Sequence, residues 1–83
     1  MNYEEIIMSP YDGVIEKIFV QKHSQVYERD VLFKIRPNDG GLRTITASLS
    51  GSVQSLEVNE GEEVVLGMVL AYIAEDLFMS GSG

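Results

Sequence analysis

The chain has 83 residues, 45% hydrophobic and 23% charged, which is enough for one small hydrophobic core and is ordinary for a folded globular domain. Six Lys and Arg against 13 Asp and Glu residues give a formal net charge of -7, with the basic residues dispersed along the sequence. Such a chain repels phosphate backbones, so we expect no nucleic-acid binding. The absence of cysteine excludes disulfides, cysteine nucleophiles and cysteine metal ligands.

Two features of the sequence bear on cellular location. Residues 1–5 lack the basic and apolar segments of a secretory signal, and no stretch approaches the ~20 apolar residues of a membrane-spanning helix. We therefore expect a cytoplasmic protein without a membrane partner. Residues 80–83, Ser-Gly-Ser-Gly, have the composition of a flexible tail.

Strand signals dominate the chain. Residues 13–20 and 31–35 are β-branched or aromatic runs bounded by turn residues. The longest candidate helix, residues 60–72, is rich in valine and interrupted by Gly61 and Gly67, which disfavour a helix interior. The sequence therefore predicts an all-β protein.

An internal repeat relates the two halves of the chain at an offset of 38 residues, which places residues 9–35 over residues 47–73. Identical residues coincide at six positions: Gly13 with Gly51, Val20 with Val58, Val26 with Val64, Val31 with Val69, Leu32 with Leu70, and Ile35 with Ile73. Each half reads as turn, strand, turn, short strand, turn and strand. Because neither half alone could bury its apolar face, we predict two pseudo-twofold halves with one shared core.

Turn residues recur at matching places in the two halves. Gly13 and Gly51 end their turns at positions where we expect a positive φ angle to require glycine. Two further turn positions also match at the same offset: His23 with Gly61, and Arg29 with Gly67. Because the first half has no glycine at these two places, its turns are expected to differ in detail from those of the second half.

Residues 36–46 connect the halves and contain the sequence Asn38-Asp39-Gly40-Gly41, a strong hairpin signal. We expect this segment to form a hairpin that protrudes from the domain. A hairpin needs such residues whatever the protein does, so the motif by itself indicates only a connecting turn.

The order and spacing of Ser9-Pro10, Gly13, Val26 and Val31-Leu32 resemble the biotinyl/lipoyl attachment family, and residues 47–64 are similar to that family's downstream pattern. The resemblance covers about residues 6–74. It implies a barrel-sandwich hybrid, or flattened β-barrel, with the central hairpin at one end. The predicted organisation is one domain over residues 1–79, with halves 9–35 and 47–73, hairpin 36–46, and a flexible tail 80–83.

In the family that this chain resembles, the hairpin carries a lysine, within Glu-Ala-Met-Lys-Met for biotin or Asp-Lys-Ala for lipoate. Counting forward from Leu32 puts the lysine position at Asp39, and counting back from Gly51 puts it at Gly40. Neither residue can form the amide that attaches the cofactor, so we predict no cofactor at the tip. Lys34 is the nearest amine, but it lies within a predicted strand.

Other chemistry has weaker support. His23 is the only histidine, and Glu60, Glu62 and Glu63 cluster at the equivalent turn of the other half, so a metal site there is conceivable. An exposed histidine and solvated glutamates are the preferred interpretation. The serines lack a nucleophile-elbow context, and no phosphate-binding glycine loop is present. We expect neither a metal site nor catalysis.

The apolar residues outside the strands have two interpretations. The methionines, with Phe19 and Phe33, are expected to be core or edge residues. The cluster Leu77-Phe78-Met79 follows the last predicted strand, and it either caps the core or docks to a partner chain.

The sequence therefore favours an unmodified interaction or assembly module that forms a homodimer by exchange of halves. Its expected contact residues are Asn38, Asp39, Gly40, Gly41, Leu42, Leu77, Phe78 and Met79. The alternative function is a diverged biotin or lipoyl carrier subunit of a carboxylase or acyltransferase complex. A membrane-transporter adaptor ranks last, because a short turn rather than a long helical hairpin separates the halves.

Overall fold

The computed structural model describes residues 4–76, which form eight β-strands and no helix. The strands are β1 (Glu4–Met8), β2 (Gly13–Ile18), β3 (Gln25–Val26), β4 (Val31–Pro37), β5 (Arg43–Thr46), β6 (Gly51–Leu56), β7 (Glu63–Val64) and β8 (Val69–Glu75). The predicted all-β class is confirmed. Across this described part of the chain, no helix has the length and hydropathy needed to cross a membrane.

The strands form two separate antiparallel sheets of four strands each. Sheet A has the order β1-β8-β6-β3, and sheet B has the order β5-β4-β2-β7. The 38-residue offset converts each strand of one sheet into the strand at the same place in the other. The repeat in the sequence is therefore the repeat of the fold, which is a sandwich of two sheets rather than a closed barrel.

Each half is completed by strands of the other half. β3 of the first half pairs with β6 of the second, and β7 of the second pairs with β2 of the first. The leading strands cross in the same way, because β1 pairs with β8 and β5 pairs with β4. Of the pairings within residues 4–76, those of β2 with β4 and of β6 with β8 stay inside one half. Neither half contains a complete sheet.

One hydrophobic core lies between the sheets and uses the matched positions of both halves. Leu32 and Ile35 on β4 are fully buried, as are their counterparts Leu70 and Ile73 on β8. Phe33 is also fully buried, whereas the residue at its matching position is Ala71. The two halves therefore share one core but fill it with unequal volumes.

The strands β1 and β5 precede the two predicted halves, which began at residues 9 and 47. β5 lies inside the segment predicted as the hairpin, and β1 was not predicted. Both strands belong to the repeat, because Ile7 is 4% exposed and its counterpart Ile45 also packs against the core. The identity of Ile7 and Ile45 at the same offset is the signal that extends each repeat by one strand.

Gly13 and Gly51 are required for a different reason from the one predicted. Neither has a positive φ angle, so that expectation is wrong. Each lies where two backbones pass closely: a β-carbon on Gly13 would overlap the carbonyl oxygen of Arg36, and one on Gly51 would overlap that of Ala74. The close approach of two strands, rather than turn geometry, excludes a side chain at both positions.

The turns of the two halves have the same backbone despite their different residues. The φ angles of His23 and Arg29 are 76° and 77°, and those of Gly61 and Gly67 are 87° and 89°. The N–H of His23 donates a hydrogen bond to the carbonyl of Val53 at 2.8 Å. At the matching place in the other half, the N–H of Gly61 donates to the carbonyl of Ile15, also at 2.8 Å. The expected difference between the turns is therefore wrong, because cross-strand hydrogen bonds impose the left-handed conformation on any residue at these positions.

Replacing His23 or Arg29 with glycine is expected to stabilise the protein by up to about 1 kcal/mol each. A residue with a β-carbon is strained in the left-handed region, and glycine removes that strain from the folded state. The free energy gained in this way exceeds the cost of the greater conformational entropy that glycine gives to the unfolded chain. The free energy of unfolding in urea measures the effect. H23A and R29A are the controls, because alanine removes the side chain but keeps the backbone strain. If alanine stabilised the protein as much as glycine does, backbone strain would not be the cause.

Candidate functional site

The predicted connecting hairpin is present, with strands β4 and β5 and a loop over residues 38–42 that is exposed throughout. Gly40 and Gly41 have φ angles of 99° and 83°, a region that favours glycine. The N–H of Gly40 donates to the carbonyl of Pro37 at 3.0 Å. The loop is thus held at its base by a backbone hydrogen bond and is open to solvent at its tip.

The hairpin tip presents a carboxylate and no amine. Asp39 and Gly40, the two positions at which the sequence count places a cofactor lysine, are both exposed. The lysines of the chain lie elsewhere: Lys17 in β2, Lys22 in the turn that follows it, and Lys34 in β4. Lys34 is half-buried and pairs across the sheet with Lys17. Its predicted place within a strand is confirmed.

A shallow depression of about 310 Å³ lies beside the hairpin. Its walls are apolar at Pro10, Tyr11 and Leu66, and acidic at Asp12 and Asp39. The carboxylate of Asp12 also accepts a hydrogen bond from the N–H of Leu66 at 2.8 Å, which holds the two segments together. The depression suits a small apolar group that carries a positive charge. Its walls come from three separate segments, so no single motif in the sequence indicates it.

Solved structures with a similar backbone identify the fold. The urea carboxylase of Kluyveromyces lactis matches with a TM-score of 0.77 and 24% identity, over 86% of this chain and 6% of that one. A single-chain, multi-domain long-chain acyl-CoA carboxylase matches with a TM-score of 0.80 and 11% identity, over 95% of this chain and 8% of that one. The lipoyl domain of the 2-oxoglutarate dehydrogenase complex from Azotobacter vinelandii matches with a TM-score of 0.71 and 18% identity, over 83% of this chain and 96% of that one. The chain has the biotinyl/lipoyl domain fold.

The share of each chain that is covered shows that the similarity is to one domain of the carboxylases and to the whole lipoyl domain. The chain spans less than a tenth of either carboxylase but almost the whole of the lipoyl domain. No protein-family model and no curated protein matches the sequence. The biotinyl/lipoyl fold is therefore shared at low sequence identity, and the predicted barrel-sandwich class is confirmed.

On the outer face of sheet B, the biotinyl/lipoyl fold brings two lysines to one aromatic ring. The Nζ atoms of Lys17 and Lys34 lie 5.3 and 5.7 Å from the centroid of the Phe19 ring, which is 43% exposed. Such contacts are worth about 0.5–1 kcal/mol each at exposed sites. Lys17 and Lys34 are far apart in the sequence but adjacent in the structure. Sequence reasoning missed this cluster and treated Phe19 as a core or edge residue.

Two glutamates of the turn that corresponds to the His23 turn accept hydrogen bonds from the backbone. Within residues 4–76, no three His, Asp or Glu side chains gather in an arrangement that could hold a metal ion. Instead, Oε2 of Glu60 accepts the N–H of Ile18 at 3.0 Å, and Oε1 of Glu62 accepts the N–H of Asn59 at the same distance. These two carboxylates stabilise turns of the fold.

The apolar cluster Leu77-Phe78-Met79 lies outside the described residues, so both of its predicted roles stay predictions. The last described residue, Asp76, donates its N–H to the carbonyl of Ser50 at 2.9 Å. Its carboxylate accepts a hydrogen bond from Nε2 of Gln25 at 2.7 Å. The chain therefore leaves β8 next to the start of β6 in sheet A, with the Gln25 side chain of β3 in contact, whereas the hairpin joins two strands of sheet B.

Proposed function

We propose that this chain is a non-catalytic biotinyl/lipoyl-like domain that acts in the cytoplasm as a protein-interaction or assembly module and carries no cofactor. The observation that supports this function is the exposed hairpin tip, where residues 38–42 contain one carboxylate, two glycines and no amine. Biotin and lipoate are carried through an amide to a lysine side chain. Neither Asp39 nor Gly40 supplies the nitrogen for that bond.

The hairpin and the depression beside it form the first proposed contact surface. Leu42 and Leu66 are 41% and 69% exposed, so this end of the domain offers apolar area to a partner. Asp12 and Asp39 add negative charge to the same surface. The surface fits a partner that inserts an apolar side chain next to a lysine or arginine. Leu77, Phe78 and Met79 are the second proposed contact element.

The proposal includes a homodimer formed by exchange of halves. Most of the strand pairings join the first half to the second, and the hairpin loop is the covalent link between the halves. If the loop opened, the same pairings would form between two copies without any new contact. Exchange requires that separated halves recognise each other.

The alternative function is a diverged carrier subunit of a carboxylase or acyltransferase complex, favoured by the two matches to carboxylases. A carrier of this kind would hold its cofactor on an amine away from the hairpin tip. Lys17 and Lys34 lie against Phe19, whereas Lys22 is exposed in a turn. Lys22 is therefore the amine that this alternative would use.

Intact mass after co-production with a biotin ligase and a lipoate ligase separates the two functions. We expect the wild-type chain to keep the mass calculated from its sequence, whereas N38D/D39K gains a lipoyl group. This variant restores the Asp-Lys pair of the lipoyl motif and leaves Gly40, whose φ angle is 99°, as glycine. N38D/D39R is the matched control, because it restores the charge without an acylatable amine. A gain of mass by the wild-type chain would overturn the proposed function.

A further inference from the structure

The outer faces of the two sheets differ more than their inner faces do. Outward positions that correspond at the 38-residue offset include Ile6 and Thr44, Met8 and Thr46, Ser55 and Lys17, Tyr72 and Lys34, Ala74 and Arg36, and, in the opposite sense, Ser52 and Val14. The difference is confined to the edge strand and its neighbour, where sheet B presents threonines and cations and sheet A presents Ile6, Met8, Tyr72 and Ala74. Because the buried positions of both halves are apolar and most are alike, the shared fold does not require this difference.

The apolar side chains of sheet A form a strip along strand β1. Ile6 and Met8 are 49% and 52% exposed, and both point away from the core because Ile7 between them is buried. In the register of the sheet, Ile6 lies opposite Tyr72 and Met8 lies opposite Val69. Single exposed apolar residues are ordinary, but a contiguous strip of them is typical of an interaction surface.

Strand β1 is also an edge strand. It pairs with β8 on one side, and among residues 4–76 no strand pairs with its other side. An edge exposes unpaired backbone N–H and C=O groups, and proteins usually protect it with charged or polar residues. The corresponding edge strand, β5, carries Arg43, Thr44 and Thr46, whereas β1 carries Glu4 and Glu5 at its amino end and Ile6 and Met8 toward its carboxyl end. The carboxyl-terminal part of β1 is therefore less protected than the same part of β5.

The charge around this edge selects the kind of strand that would pair with it. Glu4 lies on the same face as Ile6 and Met8 and pairs with Ala74, next to Glu75 and Asp76. The amino end of β1 is therefore acidic, and its carboxyl end is apolar. Pairing of two β1 edges would bring together two chains that each carry a net charge of -7, without the shared core that exchange of halves buries. Charge therefore disfavours that edge-to-edge pairing and favours a basic partner.

We propose that the free edge of β1 is a docking site for an extended, basic segment of a partner protein. The segment adds to sheet A as a fifth strand by main-chain hydrogen bonds. Every second side chain of the segment is apolar, and these side chains cover Ile6 and Met8. A lysine or arginine of the segment lies beside Glu4. The site goes beyond the proposed function, because it depends neither on the hairpin nor on the missing lysine.

A capped peptide in which valine and threonine alternate, with two lysines at its carboxyl end, is the probe. An antiparallel peptide strand would place these lysines beside Glu4. We expect the largest amide chemical-shift changes of the full chain, on titration with this peptide, at β1 and β8. A peptide with glutamates in place of the lysines serves as the matched control, and we expect it to bind at least about tenfold more weakly.

Variants of the full chain test the two parts of the site separately. I6T/M8T gives β1 the residues that β5 has at Thr44 and Thr46, and we expect about tenfold weaker binding of the lysine peptide. V31T makes the same kind of change at an exposed position of sheet B, and binding should not change. E4K should weaken the lysine peptide and strengthen the glutamate peptide, a reversal that loss of folding would not produce.

Several outcomes would overturn the docking site. Shift changes at β5 or the hairpin, or none at β1, would place binding elsewhere or show that there is none. Equal losses in I6T/M8T and V31T would remove the role of the apolar strip. Peptide-independent, concentration-dependent shifts at β1 would show that a second copy occupies the edge instead of a basic segment.

Discussion

Fragments 1–39 and 40–83 are expected to be unfolded when separate and to recover the native β-sheet signal when they are mixed. The cut falls in the exposed hairpin loop and removes no strand. Fragment 1–39 retains the pairing of β2 with β4, and fragment 40–83 retains that of β6 with β8. The other four pairings cross the cut. A two-stranded hairpin without a covered apolar face is at best marginally stable, so neither fragment holds its structure alone.

Circular dichroism and amide chemical shifts of each fragment, and of the equimolar mixture, measure this recombination. Each fragment alone at twice the concentration is the control for self-association. A mixture in which one fragment carries V53D should fail to recover, because Val53 is fully buried in the shared core. A native spectrum from either fragment alone would contradict the interdependence of the halves. An unfolded equimolar mixture would remove the basis for a dimer formed by exchange of halves.

G13A and G51A are each expected to destabilise the protein by about 3 kcal/mol. A β-carbon added at position 51 would meet the Ala74 backbone, with the carbonyl carbon at 2.8 Å and the carbonyl oxygen closer still. A β-carbon at position 13 would meet the Arg36 backbone in the same way. Because the obstacle is backbone of a paired strand, it cannot rotate away as a side chain would, and the sheet must deform.

The free energy of unfolding of G61A is the matched control for these two variants. No atom lies within 4 Å of a β-carbon built on Gly61, so alanine there meets only the strain of a φ angle of 87°. We expect a loss of about 1 kcal/mol for G61A, well below that of G13A or G51A. If all three variants lost the same free energy of unfolding, the close approach of the strands at Gly13 and Gly51 would add no cost beyond that of the alanine itself.

The candidate site was only partly predictable from the sequence. The hairpin was predictable because Asn38, Asp39 and the two glycines encode a tight loop locally. The depression was not, because Asp12 and Leu66 meet the hairpin only after distant segments have packed together. The cluster of Lys17, Phe19 and Lys34 was not predictable either, since it depends on the pairing of β2 with β4.

A β-bulge shows why strand alternation alone does not place these side chains. Simple alternation from the buried Ile15 would turn Lys17 toward the core. The register of β2 instead shifts between Ile15 and Lys17, so Glu16 and Lys17 are both exposed. The corresponding shift in β6 lies between Val53 and Ser55. A bulge depends on the partner strand, so it has no certain signature in the strand's own sequence.

The sequence by itself determined the all-β class, the offset of 38 residues, the connecting hairpin and most of the shared core, because turn chemistry and apolar spacing are local properties of the chain. Only the tertiary structure decided which strands pair, why Gly13 and Gly51 must lack a side chain, and that Ile6 and Met8 lie on an outer face. Those features depend on the register between strands that are distant in the chain. They also decide that β1, with Ile6 and Met8, lies at an open edge.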